Sequence, residues 1–518
     1  MRKIGKYMLS LLLTVAPLTA TAQFEVMRGD CTPDLNGGDA ATAQRAPVVS
    51  HRLPAINTHW DASRTYRQMV ILVEFSDLAF CRADAHALYD SIMNVPGYNQ
   101  GNGPGCVVDY YRDQSRGLFN LQFDVFGPVK VSGVARPSQA KNYGKESLAE
   151  ATRLVIQENP GLDYSVYDWN GDGEIEQVIY VYAGCGGNIN GQSGYIWPNT
   201  SIFSTVTTPD GKSISNYSAS AELWVDYRDV SCGFATLCHE FSHCLGLPDI
   251  YSTTSGAPVC DEWDLMDGGL ITNNGWCPPN FTAMEKVLMG WLEPVELTDS
   301  QVVTGMMPIA EGGDVYRIKH SDKEWLLLEN RQQRGWDLGV PGKGLVVYHV
   351  YNDGSAWRSN RVNTNPQKRC FDLVHADNMD YDAWKRYVSD MKLKQYAHSP
   401  KLNSRYLSTS TYPWSTDSTT FVNDWLTETS VPAPVMFYPN EAGDTLLNKP
   451  ITNITMSDDG LVSFVFLGNP DADAIRTVSS STDSKPACFD LRGRRVGRQG
   501  KGIYLTRNPN GVYKKILK

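Results

Sequence analysis

The stretch CHEFSHCLGLPD, residues 238–249, is the feature that most restricts how this chain can fold. Residues four apart lie on the same face of an α-helix, with about 5–6 Å between their Cβ atoms. A helix through this stretch therefore places His239 and His243 side by side. Gly246 can end such a helix in a left-handed conformation, after which the chain turns sharply. The sequence predicts that this turn brings Asp249 back toward the two histidines.

These side chains have the character of a metal site with one open position. Zinc used in catalysis takes three protein ligands and leaves one position for water, and His239, His243 and Asp249 could supply the three. Glu240 follows the first ligand directly, so it lies beside the metal, where a carboxylate can take a proton from water. The helix, predicted over residues 231–245, can bury its opposite face in a core. That face carries Phe234, Leu237 and Phe241.

Two other interpretations of this stretch stay open. The helix could be an ordinary buried helix whose histidines are satisfied by hydrogen bonds. Cys238 or Cys244 could instead hold a structural zinc ion. Both cysteines lie off the histidine face, however, and the CxxC spacing of closed zinc sites is missing. The spacing therefore favours a catalytic metal site.

The segment HEFSHCLGLPD also resembles a known pattern, HExxHxxGxxD, of metzincin-type zinc peptidases with aspartate as the third ligand. Downstream, EWDLMDG at residues 262–268 resembles the methionine-containing turn that underlies the zinc in those enzymes. This implies that role for Met266, with a plain core methionine as the alternative. The resemblance further implies that substrates bind as extended strands along a sheet edge.

A longer part of the chain, about residues 65–350, resembles the immune inhibitor A family of secreted bacterial metallopeptidases. The resemblance implies a metzincin-like α/β (α+β) catalytic lobe and a zinc endopeptidase that acts on proteins and is made as a precursor. The two cysteines around the histidines depart from the family pattern. The matching segments are VILVEFSD (Val70–Asp77), DYYRDQSRG (Asp109–Gly117), DWNGDGEIEQVIYVYAG (Asp168–Gly184), FTAMEKVLMGW (Phe281–Trp291) and LLLENRQQRGWD (Leu326–Asp337).

Changes of pattern along the chain predict several units. A basic start, an apolar run too short to span a bilayer and a small-residue Ala-Thr-Ala motif predict a secretory signal peptide, with a buried helix as the alternative. No later run is long and apolar enough for a transmembrane helix. The predicted units are a signal peptide (1–22), a leader or propeptide (23–60), a catalytic domain (61–300), a β-rich unit packed on it (301–467), a linker (468–486) and a small β sorting domain (487–518).

The formal net charge of −10 argues against nucleic acid or an anionic membrane as the main partner. The expected partners are protein or peptide substrates, and the expected location is extracellular or on the cell surface. The basic tail, residues 489–518, resembles the C-terminal sorting domain of the type IX secretion system of Bacteroidota, which implies contact with outer-membrane secretion machinery. An ordinary β module is the alternative.

A second metal site is predicted in the loop DWNGDGEIE. Asp168, Asn170, Asp172 and Glu176 have the alternating oxygen-ligand spacing of a calcium loop. The loop is not an EF-hand, because the position of the bidentate glutamate is occupied by Ile179. A polar turn that leads into a strand is the alternative.

Cys31 lies in the predicted leader, and its thiolate could occupy the open zinc position and keep the precursor inactive. The Cys-x-Pro-Asp order there is similar to the cysteine switch of matrix metalloproteinases. An ordinary free or disulfide-bonded cysteine is the alternative. Taken together, the sequence predicts a secreted zinc endopeptidase, and a non-catalytic surface adhesin or binding protein on the same fold is the competing interpretation.

Overall fold

A computed structural model describes most of the chain between residues 53 and 468. The described segments are 53–136, 144–190, 195–224, 231–390, 404–415 and 422–468, with three short strands in the C-terminal tail. No helix in them combines the length and apolar character that a bilayer crossing requires. The predicted signal peptide, Cys31 and almost all of the predicted linker lie outside the described residues.

A six-stranded sheet forms the centre of the N-terminal lobe. Its strands are β1 (Thr65–Glu74), β2 (Asn120–Lys130), β3 (Glu174–Ile175), β4 (Val178–Cys185), β5 (Asn199–Thr207) and β6 (Ser213–Leu223). β2, β1, β4 and β6 lie side by side in parallel, and β3 pairs in parallel with the start of β6. β5 runs antiparallel to β6 and pairs with no other described strand.

Helices cover both faces of this sheet. They are α1 (Ala85–Asn94), α2 (Val107–Gln114), α3 (Lys145–Glu158), α4 (Gly187–Asn190), α5 (Ala235–Cys244) and α6 (Ala283–Leu288). Successive side chains of a strand point to opposite faces. Val70 and Leu72 of β1 therefore share a core with α1, α2 and α5, whereas Met69 and Ile71 share one with α3. This arrangement confirms the predicted α/β lobe.

The β-rich unit is predicted over residues 301–467, and the first strand of its sheet begins at residue 295. The boundary at residue 301 stays a prediction. The strands of this unit are β7 (Val295–Glu296), β8 (Gln301–Met306), β9 (Tyr316–Lys319), β10 (Glu324–Arg331), β11 (Gly344–Tyr351), β12 (Phe371–Leu373), β13 (Trp414–Ser415), β14 (Val422–Asn423), β15 (Ile451–Met456) and β16 (Val462–Phe466), and its helices are α7 (Gly354–Arg358) and α8 (Tyr381–Asp390). β12, β11, β10, β9 and β7 form one sheet, which carries Leu327 and Tyr348 in the core shared with α5. Leu326 and Val347 instead pack with β8, β15 and β16. The unit is therefore joined to the first lobe by a common core.

The end of the predicted leader also contacts this lobe. Residues 53–60 form neither helix nor strand. Leu53 is buried, and Trp60 donates a hydrogen bond from Nε1 to the carbonyl of Met289 at 2.7 Å. The ring of Trp60 also lies 4.4 Å from that of Phe119. The boundary at residue 60 stays a prediction.

The tail contains three described strands, β17 (Cys488–Phe489), β18 (Ile503–Arg507) and β19 (Tyr513–Leu517), paired antiparallel in the order β17-β18-β19. These strands lie within residues 487–518, where a small β unit is predicted. The sorting role of this small sheet stays a prediction.

Candidate metal centre

Helix α5 carries the two histidines and is anchored by its opposite face. Phe241 is fully buried, and its ring lies 5.2 Å from that of Tyr111, edge to face. The hydroxyl of Tyr111 donates to the carbonyl of Cys238 at 2.9 Å. The predicted burial of Phe234, Leu237 and Phe241 is confirmed.

The helix begins at Ala235 and not at residue 231 as predicted. Gly233 has a φ of 67°, which no right-handed helix contains, and the amide of Phe234 donates to the carbonyl of Gly275 at 2.9 Å. This contact with a distant segment replaces the first helical turn.

The two histidine rings are held by hydrogen bonds to backbone carbonyls. Nδ1 of His239 lies 2.8 Å from the carbonyl oxygen of Leu265, and Nδ1 of His243 lies 2.7 Å from that of Leu247. A carbonyl only accepts, so each Nδ1 carries the hydrogen. In a neutral imidazole Nε2 then has a free lone pair, which is the form that binds a metal.

The turn after α5 brings Asp249 to these rings, as predicted. Gly246 has a φ of 101°, and its amide donates to the carbonyl of His243 at 2.9 Å. The next amide, that of Leu247, donates to the carbonyl of Ser242 at 3.1 Å. These two bonds form a Schellman motif, which reverses the chain at the helix end.

The three predicted ligands converge in the structure. Oδ1 of Asp249 lies 3.3 Å from Nε2 of His239 and 3.1 Å from Nε2 of His243. This oxygen is buried and receives no hydrogen bond of normal geometry from any described residue. Two imidazole lone pairs and a carboxylate oxygen that face one another require a cation or protons between them. His239, His243 and Asp249 therefore fit a bound divalent metal. In the described segments, no other group of three or more His, Cys, Asp or Glu side chains is placed to hold an ion. It contains neither Cys238 nor Cys244.

Electrostatics at the cluster favour positive charge. Burial alone would raise the pKa of Asp249, but the two histidines hold it well below its usual range. Burial would likewise lower the pKa of His243, yet Asp249 and Glu240 outweigh it and raise this pKa to about 9. Because metal ligands must be deprotonated, a metal competes here with protons for the same electron pairs.

Glu240 lies beside the cluster and is almost fully buried, with 3% of its surface exposed. Burial raises its pKa, while the charges of His239 and His243 lower it less strongly. The hydroxyl of Thr200 on β5 lies 3.0 Å from Oε2 of Glu240 and 2.6 Å from its backbone carbonyl. The edge strand of the sheet thus contacts the candidate base.

The turn that contains Met266 lies directly against the metal ligands. Met266 is fully buried, and its carbonyl accepts a hydrogen bond of 2.8 Å from the amide of Ile250. The preceding carbonyl, that of Leu265, is the one that orients His239. Asp264 accepts a hydrogen bond from the Met266 amide at 2.7 Å and stabilises the turn.

The predicted calcium loop forms a compact turn in which its carboxylates already have partners. Asp168 accepts hydrogen bonds from three backbone amides of the loop, and Oδ2 of Asp168 lies 2.7 Å from Nζ of Lys212. Glu176 accepts the amide of Asn170 at 3.0 Å, and Asp172 accepts the Nδ2 group of Asn170, also at 3.0 Å. The calcium site stays a prediction, and Lys212 is a competitor for it that sequence reasoning missed.

Sequence reasoning also missed two polar contacts at the centre, those of Thr200 and Asn360. Nδ2 of Asn360 donates to Oδ2 of Asp249 at 2.7 Å. Neither residue carries a signal in the sequence, because both are common residue types that lie far along the chain from the ligands they contact.

Comparison with known proteins agrees with this geometry. Residues 57–289 match the family described as immune inhibitor A peptidase M6, catalytic domain. The match covers every predicted zinc ligand, Glu240 and Met266, and it suggests a metalloprotease.

Two relatives extend the match. Immune inhibitor A of Bacillus thuringiensis subsp. alesti is 22% identical over 381 residues, which are 62% of this chain and 53% of the relative. Pre-pro-metalloprotease PrtV of Vibrio cholerae serotype O1 (strain M66-2) is 23% identical over 301 residues, which are 47% of this chain and 32% of the relative. The chain thus spans about half of the first relative and about a third of the second.

Proposed function

We propose that this chain is a secreted zinc-dependent endopeptidase that hydrolyses protein substrates. The observation that carries the proposal is the convergence of Nε2 of His239, Nε2 of His243 and Oδ1 of Asp249 beside a buried Glu240. The family match over residues 57–289 and the metalloprotease name of a relative support the same reaction class.

Each residue of the centre has a distinct task in this proposal. His239, His243 and Asp249 would hold the ion, and the carbonyls of Leu265 and Leu247 keep the imidazoles in the binding tautomer. A bound zinc ion would polarise the carbonyl of the bond to be cut and would lower the pKa of water to near neutrality. Glu240 takes a proton from the attacking water and then delivers it to the leaving amine.

Substrate is proposed to bind as an extended strand along β5. An exposed strand edge offers backbone donors and acceptors to a peptide, which can add to the sheet. β5 pairs only with β6 among the described strands, and its Thr200 contacts Glu240. A peptide on this edge would therefore pass next to the candidate base. Met266 is proposed as the turn methionine beneath the ion.

The export route is proposed from the sequence alone. The N-terminal segment would direct secretion, and the C-terminal tail would engage outer-membrane machinery. Sequencing the termini of the mature extracellular protein by mass spectrometry tests both ideas, since intact termini at residues 1 and 518 would contradict them.

The decisive experiment is hydrolysis of casein by the protein without its leader, with and without 1,10-phenanthroline. Glu240→Gln should lower the rate by about 10²–10⁴-fold, the usual contribution of a general base, while zinc content stays at the wild-type level. Glu146→Gln is the matched control, because Glu146 is an exposed carboxylate on α3, on the opposite face of the sheet from α5. This variant should retain full activity. Equal rates for wild type and Glu240→Gln would refute the assigned mechanism. No hydrolysis by a zinc-loaded wild type would favour the surface-binding alternative.

A further inference from the structure

The third ligand of the candidate centre is held by a residue from the β-rich unit. Asn360 follows α7, and its Nδ2 donates to Oδ2 of Asp249 at 2.7 Å. Its Oδ1 in turn accepts the backbone amide of Asp249, also at 2.7 Å. Both polar groups of one side chain therefore engage the same residue.

We propose that Asn360 is a positioning residue that fixes Asp249 for metal binding, so that the β-rich unit completes the site. This inference rests on the proposed zinc-dependent function. The bond to Oδ2 occupies one carboxylate oxygen and leaves Oδ1 directed at Nε2 of His239 and His243. The bond to the amide prevents the backbone from carrying the carboxylate away. Partners of this kind orient a ligand and decide how tightly the metal binds.

Asn360 is itself fixed to the segment that carries the ligand. Its backbone carbonyl accepts a hydrogen bond of 3.0 Å from the hydroxyl of Thr253. Three residues further on, Asn363 is buried and donates from Nδ2 to the carbonyls of Ile250 and Phe371, both at 2.7 Å. The segment after Asp249 is therefore docked on this turn at several points and is not held by one side chain alone.

The backbone at Asn360 also favours this residue type. Its φ is 54°, in the left-handed region that asparagine adopts more readily than most other side chains. The turn lies beyond residues 57–289, the segment matched by the peptidase family. The lobe that contains the ligands would therefore depend on the following unit for a complete site.

The test is the zinc affinity of Asn360→Gly and Asn360→Ala, measured by competition with a chelating dye. Every protein carries Glu240→Gln, which prevents self-digestion and gives one common parent. The glycine variant accepts the left-handed backbone, so its effect reports the lost side chain and not strain. We expect both variants to bind zinc about 10–100-fold more weakly than the parent. The unfolding temperature of the zinc-free glycine variant should stay close to that of the parent, because Asn360 is partly exposed and its backbone is not strained in this variant.

Asn378→Ala is the matched control, since Asn378 is an exposed asparagine of the same unit with a φ of 55°. It should keep the zinc affinity of the parent. Unchanged affinity in both Asn360 variants, with or without a loss of stability, would overturn the inference while leaving the proposed function intact. A parent protein that binds no zinc would instead overturn the proposed function and this inference with it.

Discussion

Replacing Thr200 with valine tests whether the edge strand positions the candidate base. Valine has nearly the shape of threonine, so the change removes the hydroxyl and little else. That hydroxyl lies 2.6 Å from the carbonyl of Glu240 and 3.0 Å from its Oε2. We expect Thr200→Val to lower kcat/KM while the zinc affinity stays unchanged, because no metal ligand is altered.

The size of the effect follows from these contacts. A hydrogen bond to a charged group contributes about 1.5–3 kcal/mol. If its loss destabilises only the transition state, the rate falls by about 10–100-fold. Thr200 has one proton to share between two acceptors, and the neutral carbonyl is the nearer one. The expected loss is therefore near the lower limit, about tenfold.

The assay is kcat/KM on an internally quenched peptide at saturating zinc, with Thr200→Ser as the control that keeps the hydroxyl. Serine should restore most of the activity. Wild-type kcat/KM in Thr200→Val would refute the reasoning. An equal loss in the serine variant would show that the methyl group, and not the hydrogen bond, positions Glu240.

Two further predictions concern folding. An alanine Cβ at Gly246, where φ is 101°, would lie 2.7 Å from Cγ1 of Ile56 and 2.8 Å from the carbonyl oxygen of Pro54. Gly246→Ala should therefore lower both the unfolding temperature and the zinc content, with about 1–3 kcal/mol lost to backbone strain. A variant that keeps the wild-type unfolding temperature and zinc content would contradict the assigned turn. Lys286 is buried, its Nζ donates to Gln114, and burial lowers its pKa from 10.5 to about 7. Between these two pH values the unfolded chain binds the proton more strongly, so this residue makes the free energy of unfolding rise with pH by at most about 1.4 kcal/mol per unit. Lys286→Met should remove that rise, which urea unfolding at several pH values measures in the Glu240→Gln background. Lys343→Met, a change at an exposed lysine, is the control. If the difference in stability between Lys286→Met and the parent does not change with pH, the prediction is wrong.

Much of the first lobe could be predicted from local patterns. The β-rich run at residues 69–75 predicts a buried strand, and all of it except Phe75 lies in β1. The helical spacing of apolar residues at 147–157 predicts a helix, and these residues lie within α3. These elements follow from the alternation and spacing of apolar residues, which depend on neighbours in sequence. The start of α5 was predicted too early, because the carbonyl of Gly275 binds the amide of Phe234 and no local pattern contains that contact.

The predicted calcium site likewise depends on a contact with a distant residue that the sequence of the loop does not reveal. Asp168 and its neighbours have the oxygen atoms and spacing that calcium requires. The fold brings Nζ of Lys212 to 2.7 Å from Asp168, and a lysine so far along the chain could not be placed from the loop itself.

The sequence by itself determined the arrangement of His239, His243 and Asp249, since one helical turn and one left-handed glycine relate all three. Short-range backbone geometry is enough for that. Only the tertiary structure decided that Thr200 contacts Glu240 and that Asn360 holds Asp249. Those contacts depend on how an edge strand and a separate β-rich unit pack around α5. Packing between segments that are distant in the sequence produces no periodic pattern of residues from which it could be predicted.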